Sequence, residues 1–147
     1  MEDWEVAARE GVRETIVRYA HLVDGGRFDD LLELFTEDAI LEAGTRPAAH
    51  GRAAIRALFV ETGARLSAAQ GRPFIRHHVS TIDVDVQGPD AARARSYFLA
   101  LTDGGPDHWG RYHDRLVRVD GRWLFQHRRV RTEGRTAGSV FATDAKP

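Results

Sequence analysis

With 147 residues and a formal net charge of −1, the chain is sized for one domain that can bury a core and still leave a pocket. Its basic residues are scattered and, apart from Lys146, all arginine, so nothing marks a nucleic-acid surface. Cysteine is absent, which excludes disulfides, a thiolate nucleophile and thiolate-held metal.

The first helix is expected from about Trp4 to Val23. Val12, Ile16, Tyr19, Ala20 and Val23 recur at three- and four-residue spacing, the apolar stripe of a helix packed on a core. At about 100° per residue, Tyr19 falls near the middle of that stripe, Asp24 at its border and His21 on the solvent side. Gly25-Gly26 supplies the left-handed residue on which helices end. A carboxylate at a helix C-terminus opposes the helix dipole, so Asp24 serves either the turn itself or a function.

A short second helix follows, Phe28 to Phe35, with Asp29 and Asp30 in its first turn. Ala39–Glu42 reads as a strand, 44–50 as a turn-rich link, and Gly51 opens a third helix with Ile55, Leu58 and Phe59 inward. Beyond Pro73 the period changes. Residues 74–86, 91–102, 108–119 and 122–131 read as four strands, joined by turns at Gly88-Pro89-Asp90 and Asp120-Gly121 and by a loop over 102–107. Ile82, Val84 and Val86 share one strand face. Three helices before a meandering antiparallel sheet indicate an α+β domain over 1–131, with the tail 132–147 anchored by Val140 and Phe141. A curved sheet closed by helices on one face would leave a conical cavity.

His77 and His78 enter the first long strand together. Adjacent strand residues face opposite ways, so one of them points under the sheet, where Asp24 can meet it. A carboxylate on one ring nitrogen fixes the tautomer and prepares the other nitrogen to abstract a proton. The alternative is a structural histidine. A second group lies on the last hairpin: Trp109, Tyr112, Asp114 and Arg129. Either Asp114 and Arg129 form a salt bridge with Tyr112 as a wall, or Arg129 and Tyr112 donate to a substrate oxygen. His-x-His spacing is missing and adjacent histidines cannot face one ion from a regular strand, so no metal is expected. The familiar hydrolase, metalloprotease and nucleotide-binding signatures are also missing.

Residues 24–39 (Asp-Gly-Gly-Arg-Phe-Asp-Asp-Leu-Leu-Glu-Leu-Phe-Thr-Glu-Asp-Ala), His50–Ile55, Arg76-His77 with Thr81, and Asp120–Trp123 resemble SnoaL-like proteins of the nuclear transport factor 2-like superfamily over roughly 8–131. The pattern is most similar to the branch holding scytalone dehydratase, bile-acid 7α-dehydratase and hexachlorocyclohexane dehydrochlorinase. The resemblance implies a cone-shaped curved sheet with three N-terminal helices enclosing a pocket. It also implies an Asp24/His77 dyad assisted by Tyr19, with Arg129 matching the dehydrochlorinase's pocket arginine and Thr81 standing where relatives often carry Asn.

The expected protein is thus a cofactor-independent lyase, dehydratase-like, acting on a hydrophobic small molecule. His77, Asp24 and Tyr19 are its catalytic candidates, and Arg129, Tyr112, Trp109 and Asp114 its substrate-binding ones. The same dyad suits an isomerase or cyclase. Two other readings are a non-catalytic protein, such as the small subunit of a ring-hydroxylating dioxygenase or a binding module, and, with Asp114 and Arg129, an epoxide hydrolase. No nucleic acid or membrane partner is expected, since no run reaches the length of a span and the acidic start Met1–Glu5 is unlike a signal peptide. A cytoplasmic homo-oligomer is expected, a trimer before a dimer.

Overall fold

The computed structural model describes residues 1–70, 74–139 and 141. The elements are α1 (Asp3–Asp24), α2 (Phe28–Leu32), β1 (Phe35–Ala43), β2 (Ala49–His50), α3 (Arg52–Gln70), β3 (Arg76–Gly88), β4 (Ala91–Thr102), β5 (Gly105–Val119) and β6 (Arg122–Arg135). The fold is α+β, as its sequence pattern implies. The strands form one curled, unclosed sheet in the order β2-β1-β6-β5-β4-β3, antiparallel except for the β1–β6 pair. Several boundaries differ from expectation: the second helix ends at Leu32, Phe35 already opens β1, and Ala49–His50 within the expected link pair as a strand. The span 102–107 is mostly strand, because Thr102 and Gly105 pair around a tight turn, and β6 continues to Arg135.

Helix α1 lies across the concave face of this sheet. Val12, Ile16 and Tyr19 are buried against Phe35, Leu116 and Phe125. Backbone approach is closest at Gly11, where an added Cβ would sit 2.5 Å from Trp123 Cδ1, and Thr15 Oγ1 donates to the Trp123 carbonyl at 2.6 Å. On the other side Arg9 and Arg13 donate to the Val84 and Ile82 carbonyls of β3. These ties fix where the helix ends relative to the start of β3. Helix α3 closes the layer: Arg52 donates twice to the Phe35 carbonyl (3.0 and 2.7 Å), and Arg56 pairs with Asp29 of α2 at 2.9 Å.

Three of the one-residue bulges in the sheet decide which side chains face the helices. In β3, Ser80 pairs with Tyr97 and Asp83 with Arg95, leaving one residue of β3 unmatched beside Thr81, whose φ is +52°. In β6, Phe125 pairs with Leu116 and His127 with Arg115, so Gln126 is the extra residue. In β5, Pro106 pairs with Leu101 and His108 with Ala100, so Asp107 is extra.

Candidate active site

The site begins with the end of α1. Gly26 adopts a φ of +65°, the Gly26 N–H donates to the Val23 carbonyl (3.1 Å) and the Arg27 N–H to the Leu22 carbonyl (2.9 Å). This paired arrangement stops the helix with Asp24 as its last residue. The Asp24 carboxylate accepts from the His77 backbone N–H at 2.9 Å and from His77 Nδ1 at 2.5 Å. Both side chains are only 11% exposed. The dipole penalty for an acid at a helix C-terminus is about 0.3–1 kcal/mol, whereas each hydrogen bond to a charged group contributes about 1.5–3 kcal/mol. The two bonds outweigh it. With Nδ1 bound to the carboxylate, Nε2 of His77 is the nitrogen left for the cavity.

The Thr81 bulge is why His77, and not His78, is the inward histidine. Ile82, Val84 and Val86 pack on the core, and unbroken alternation from them would carry His78 inward. The bulge shifts the parity, so His77 lies opposite the buried Ala100 while His78 is exposed.

A cavity of about 1340 Å³ opens between sheet and helices, larger than the roughly 300–1,000 Å³ usual for small-molecule sites. Phe28, Leu58, Phe59, Phe98 and Val130 contribute apolar wall, Tyr19, Asp24, His77, His108 and Tyr112 are among its polar groups, and Glu42, Arg129 and Glu133 also border it. Tyr19 sits among Phe35, Phe59, Tyr112 and Phe125, each ring edge-on at 5.8–6.2 Å. Burial pushes its phenol above the ordinary value, although the Arg128 guanidinium opposes the shift, so Tyr19 keeps its proton at neutral pH. Tyr112 stacks on Phe98 at 4.7 Å, and burial likewise pushes its phenol up.

Beneath these rings lies a buried ion pair. Arg128 donates to both Asp114 oxygens, at 2.9 and 3.1 Å, with neither side chain exposed. Its guanidinium stands over the Tyr112, Tyr19 and Phe125 rings at 3.7, 4.1 and 4.4 Å. Burial pushes the Asp114 carboxyl up, with Arg128 opposing. Burial works against the charge of Arg128 too, but Asp114 and the two phenols outweigh it and raise its value.

The structure therefore brings Asp24, His77, Tyr19 and Tyr112 together around one cavity. Arg129 borders the same cavity, but its side chain is 63% exposed and lies 3.5 Å from Glu42. A two-residue turn at Asp120-Gly121 would set Arg129 opposite Tyr112, but the Gln126 bulge advances the register, so Arg128 faces inward opposite Asp114. Asp114 holds Arg128 under the floor and is absent from the cavity wall, so its place is structural. Trp109 lies on the outer face, 39% exposed over Gly134, where an added Cβ would meet its ring at 2.5 Å.

One cavity histidine was not singled out from the sequence. His108 is buried, its ring edge-on to His77 with centroids 6.2 Å apart, and its Nδ1 is 2.7 Å from Asp107 Oδ2. Burial pushes its imidazole below the usual value, and the Asp107 carboxylate works the other way. The adjacent Asp-His pair was the available signal, but alternation would have split the two residues between faces. The bulge at Asp107 turns both inward. Among the described residues no group of three or more His, Asp or Glu is arranged to hold a metal ion.

Residues 4–129 match the family model of the SnoaL-like domain. The chain belongs to the SnoaL-like family. Solved structures agree with that membership over nearly the whole SnoaL-like chain. A protein of Novosphingobium aromaticivorans described as a candidate scytalone dehydratase superposes with a TM-score of 0.81 at 26% identity, covering 92% of this chain and 91% of its own. A nuclear transport factor 2-like protein of the same organism, with a cystatin-like fold, gives 0.76 at 28% over 92% and 90%. A Catenulispora acidiphila protein in complex with S-DNPA gives 0.76 at 28% over 87% and 95%. No curated protein sequence matches significantly. No helix among the described residues is long and apolar enough to cross a membrane.

Proposed function

We propose that this SnoaL-like protein is a cofactor-independent lyase that eliminates water from a hydrophobic β-hydroxy carbonyl compound. The observation that carries the reading is the Asp24–His77 dyad, bonded at 2.5 and 2.9 Å and opening into an apolar cavity. Resemblance to a candidate scytalone dehydratase supports the choice of dehydration.

In the proposed step, His77 Nε2 takes a proton from the carbon next to the carbonyl. The freed electron pair forms the carbon–carbon double bond as the carbon–oxygen bond to the hydroxyl breaks. Asp24 holds the ring in the required tautomer and faces the imidazolium that forms. Tyr19, kept protonated by burial, donates to the carbonyl or the departing hydroxyl, and the proton on His77 leaves with the hydroxyl as water. Arg128 beneath Tyr19 and Tyr112 offsets negative charge that develops there. The apolar wall strengthens each of these interactions.

The test is turnover of a bicyclic β-hydroxy ketone that aromatises to a naphthol, followed by absorbance. His77→Ala and Asp24→Ala should each lower kcat by about 10²–10⁴, the usual contribution of a positioned general base, with the circular dichroism spectrum unchanged. Near-normal turnover in either variant removes the mechanism. An isomerase or cyclase would begin with the same proton abstraction, and the mass of the product separates it from a dehydratase.

A further inference from the structure

The geometry points to Asp107 as a positioning residue that makes His108 a hydrogen-bond acceptor toward the cavity, so that the site selects ligands carrying a hydroxyl donor. The inference rests on the cavity being a small-molecule site, as proposed above, but not on its chemistry.

Contacts from three directions hold this carboxylate and its neighbour. His108 Nδ1 lies 2.7 Å from Asp107 Oδ2. Ser139 Oγ donates to the same oxygen at 2.7 Å, and the Phe141 N–H donates to Ser139 Oγ at 3.1 Å. The Phe141 ring stands edge-on to the His108 imidazole with centroids 4.5 Å apart. The Thr136 N–H donates to the Asp107 carbonyl at 2.9 Å, so the segment after β6 is tied to the bulge at both backbone and side chain. Ser139 bonds the carboxylate and not the imidazole, so it has no base and is not a nucleophile.

An ionised carboxylate only accepts hydrogen bonds, which places the ring proton of His108 on Nδ1. Nε2 then carries a lone pair. No described group bonds it, and the residue lines the cavity. Burial and the facing His77 and Arg135 hold the ring neutral against the pull of Asp107. A ligand that covers this nitrogen without a donor leaves it a buried acceptor without a partner, at a cost of about 1–3 kcal/mol, so a ligand hydroxyl at this point is favoured over an ether of the same shape. The sequence makes this arrangement possible only through the bulge, which lets consecutive residues face one side.

The experiment uses the full chain labelled with nitrogen-15. Long-range proton–nitrogen correlation reads the tautomer of His108, assigned by loss of its signals in His108→Gln, and calorimetry compares 2-naphthol with 2-methoxynaphthalene. The expected result is an Nδ1–H tautomer and about tenfold tighter binding of the naphthol, the worth of roughly 1.4 kcal/mol. Asp107→Ala should move the proton to Nε2 and abolish the preference. Asp107→Asn, whose amide oxygen still accepts the Nδ1 proton, should restore both. An Nε2–H tautomer in the unsubstituted protein overturns the inference, and so does a tautomer unchanged by Asp107→Ala. If Asp107→Ala does not fold, equal binding of the two probes by the unsubstituted protein overturns it. Neither readout requires turnover, so a failure of the lyase reading would show separately, as absent dehydration with the tautomer intact.

Discussion

Arg128→Met tests the electrostatic foundation of the cavity floor. The substitution keeps a linear side chain of similar reach but leaves the Asp114 carboxylate buried without its cation. Removing one partner of a buried pair costs about 3–5 kcal/mol. Lost stacking over Tyr112, Tyr19 and Phe125 adds about 1–2 kcal/mol, and methionine sulfur against the same rings returns about 0.3–1.5 kcal/mol. The net loss should stay near 3–5 kcal/mol, a large share of the about 5–15 kcal/mol that holds an ordinary domain together. Asp114→Leu/Arg128→Met should behave differently, within about 2 kcal/mol of the unsubstituted protein, because no uncompensated charge remains.

Urea unfolding of the four members of this cycle, followed by fluorescence and circular dichroism, gives the coupling energy directly. The pH dependence supplies a second readout. Burial already pushes the folded Asp114 carboxyl above 3.8, and loss of Arg128 removes the strongest opposing influence. A carboxyl whose folded value is raised contributes stability below its unfolded value and loses it as pH climbs through the folded one. The deficit of Arg128→Met should therefore widen from mildly acid to neutral solution. A single-variant loss below about 1 kcal/mol, or a double variant as unstable as the sum of the singles, would refute the reasoning.

Three further outcomes are expected. Gly110→Ala would place its Cβ 1.9 Å from the Arg131 carbonyl oxygen, so the β5–β6 pair must part, and thermal unfolding should show a loss of more than about 3 kcal/mol. Thr81→Gly relieves a left-handed backbone worth about 1–2 kcal/mol to a β-branched residue, against about 0.5–1 kcal/mol of added unfolded-chain freedom. Stability should hold or rise slightly, and a loss above about 1 kcal/mol would show that the Thr81 side chain matters more than its φ. Tyr19→Phe keeps the ring packing but deletes the donor, so kcat on the β-hydroxy ketone should fall by about 10² or more with little change in melting temperature, and unchanged kcat would remove Tyr19 from the mechanism.

Much of this protein follows from local rules. The stripe of Val12, Ile16 and Tyr19 and the Gly25-Gly26 stop place a phenol and a carboxylate at one helix end, because helical period and capping depend only on near neighbours. The α+β order likewise follows from the change of period beyond Pro73. What local rules leave open is parity. A strand alternates with a period of two, and one inserted residue exchanges its faces without altering the composition that the alternation is read from. Among the polar residues Ser80-Thr81, at Gln126 and at Asp107, nothing in the alternation marks the insertion. Cross-strand pairing decided there that His77 faces inward in place of His78, that Arg128 and not Arg129 pairs with the buried Asp114, and that Asp107 and His108 are buried side by side with His108 on the cavity wall. Such pairings join residues distant in the chain, and only the assembled sheet could make that choice.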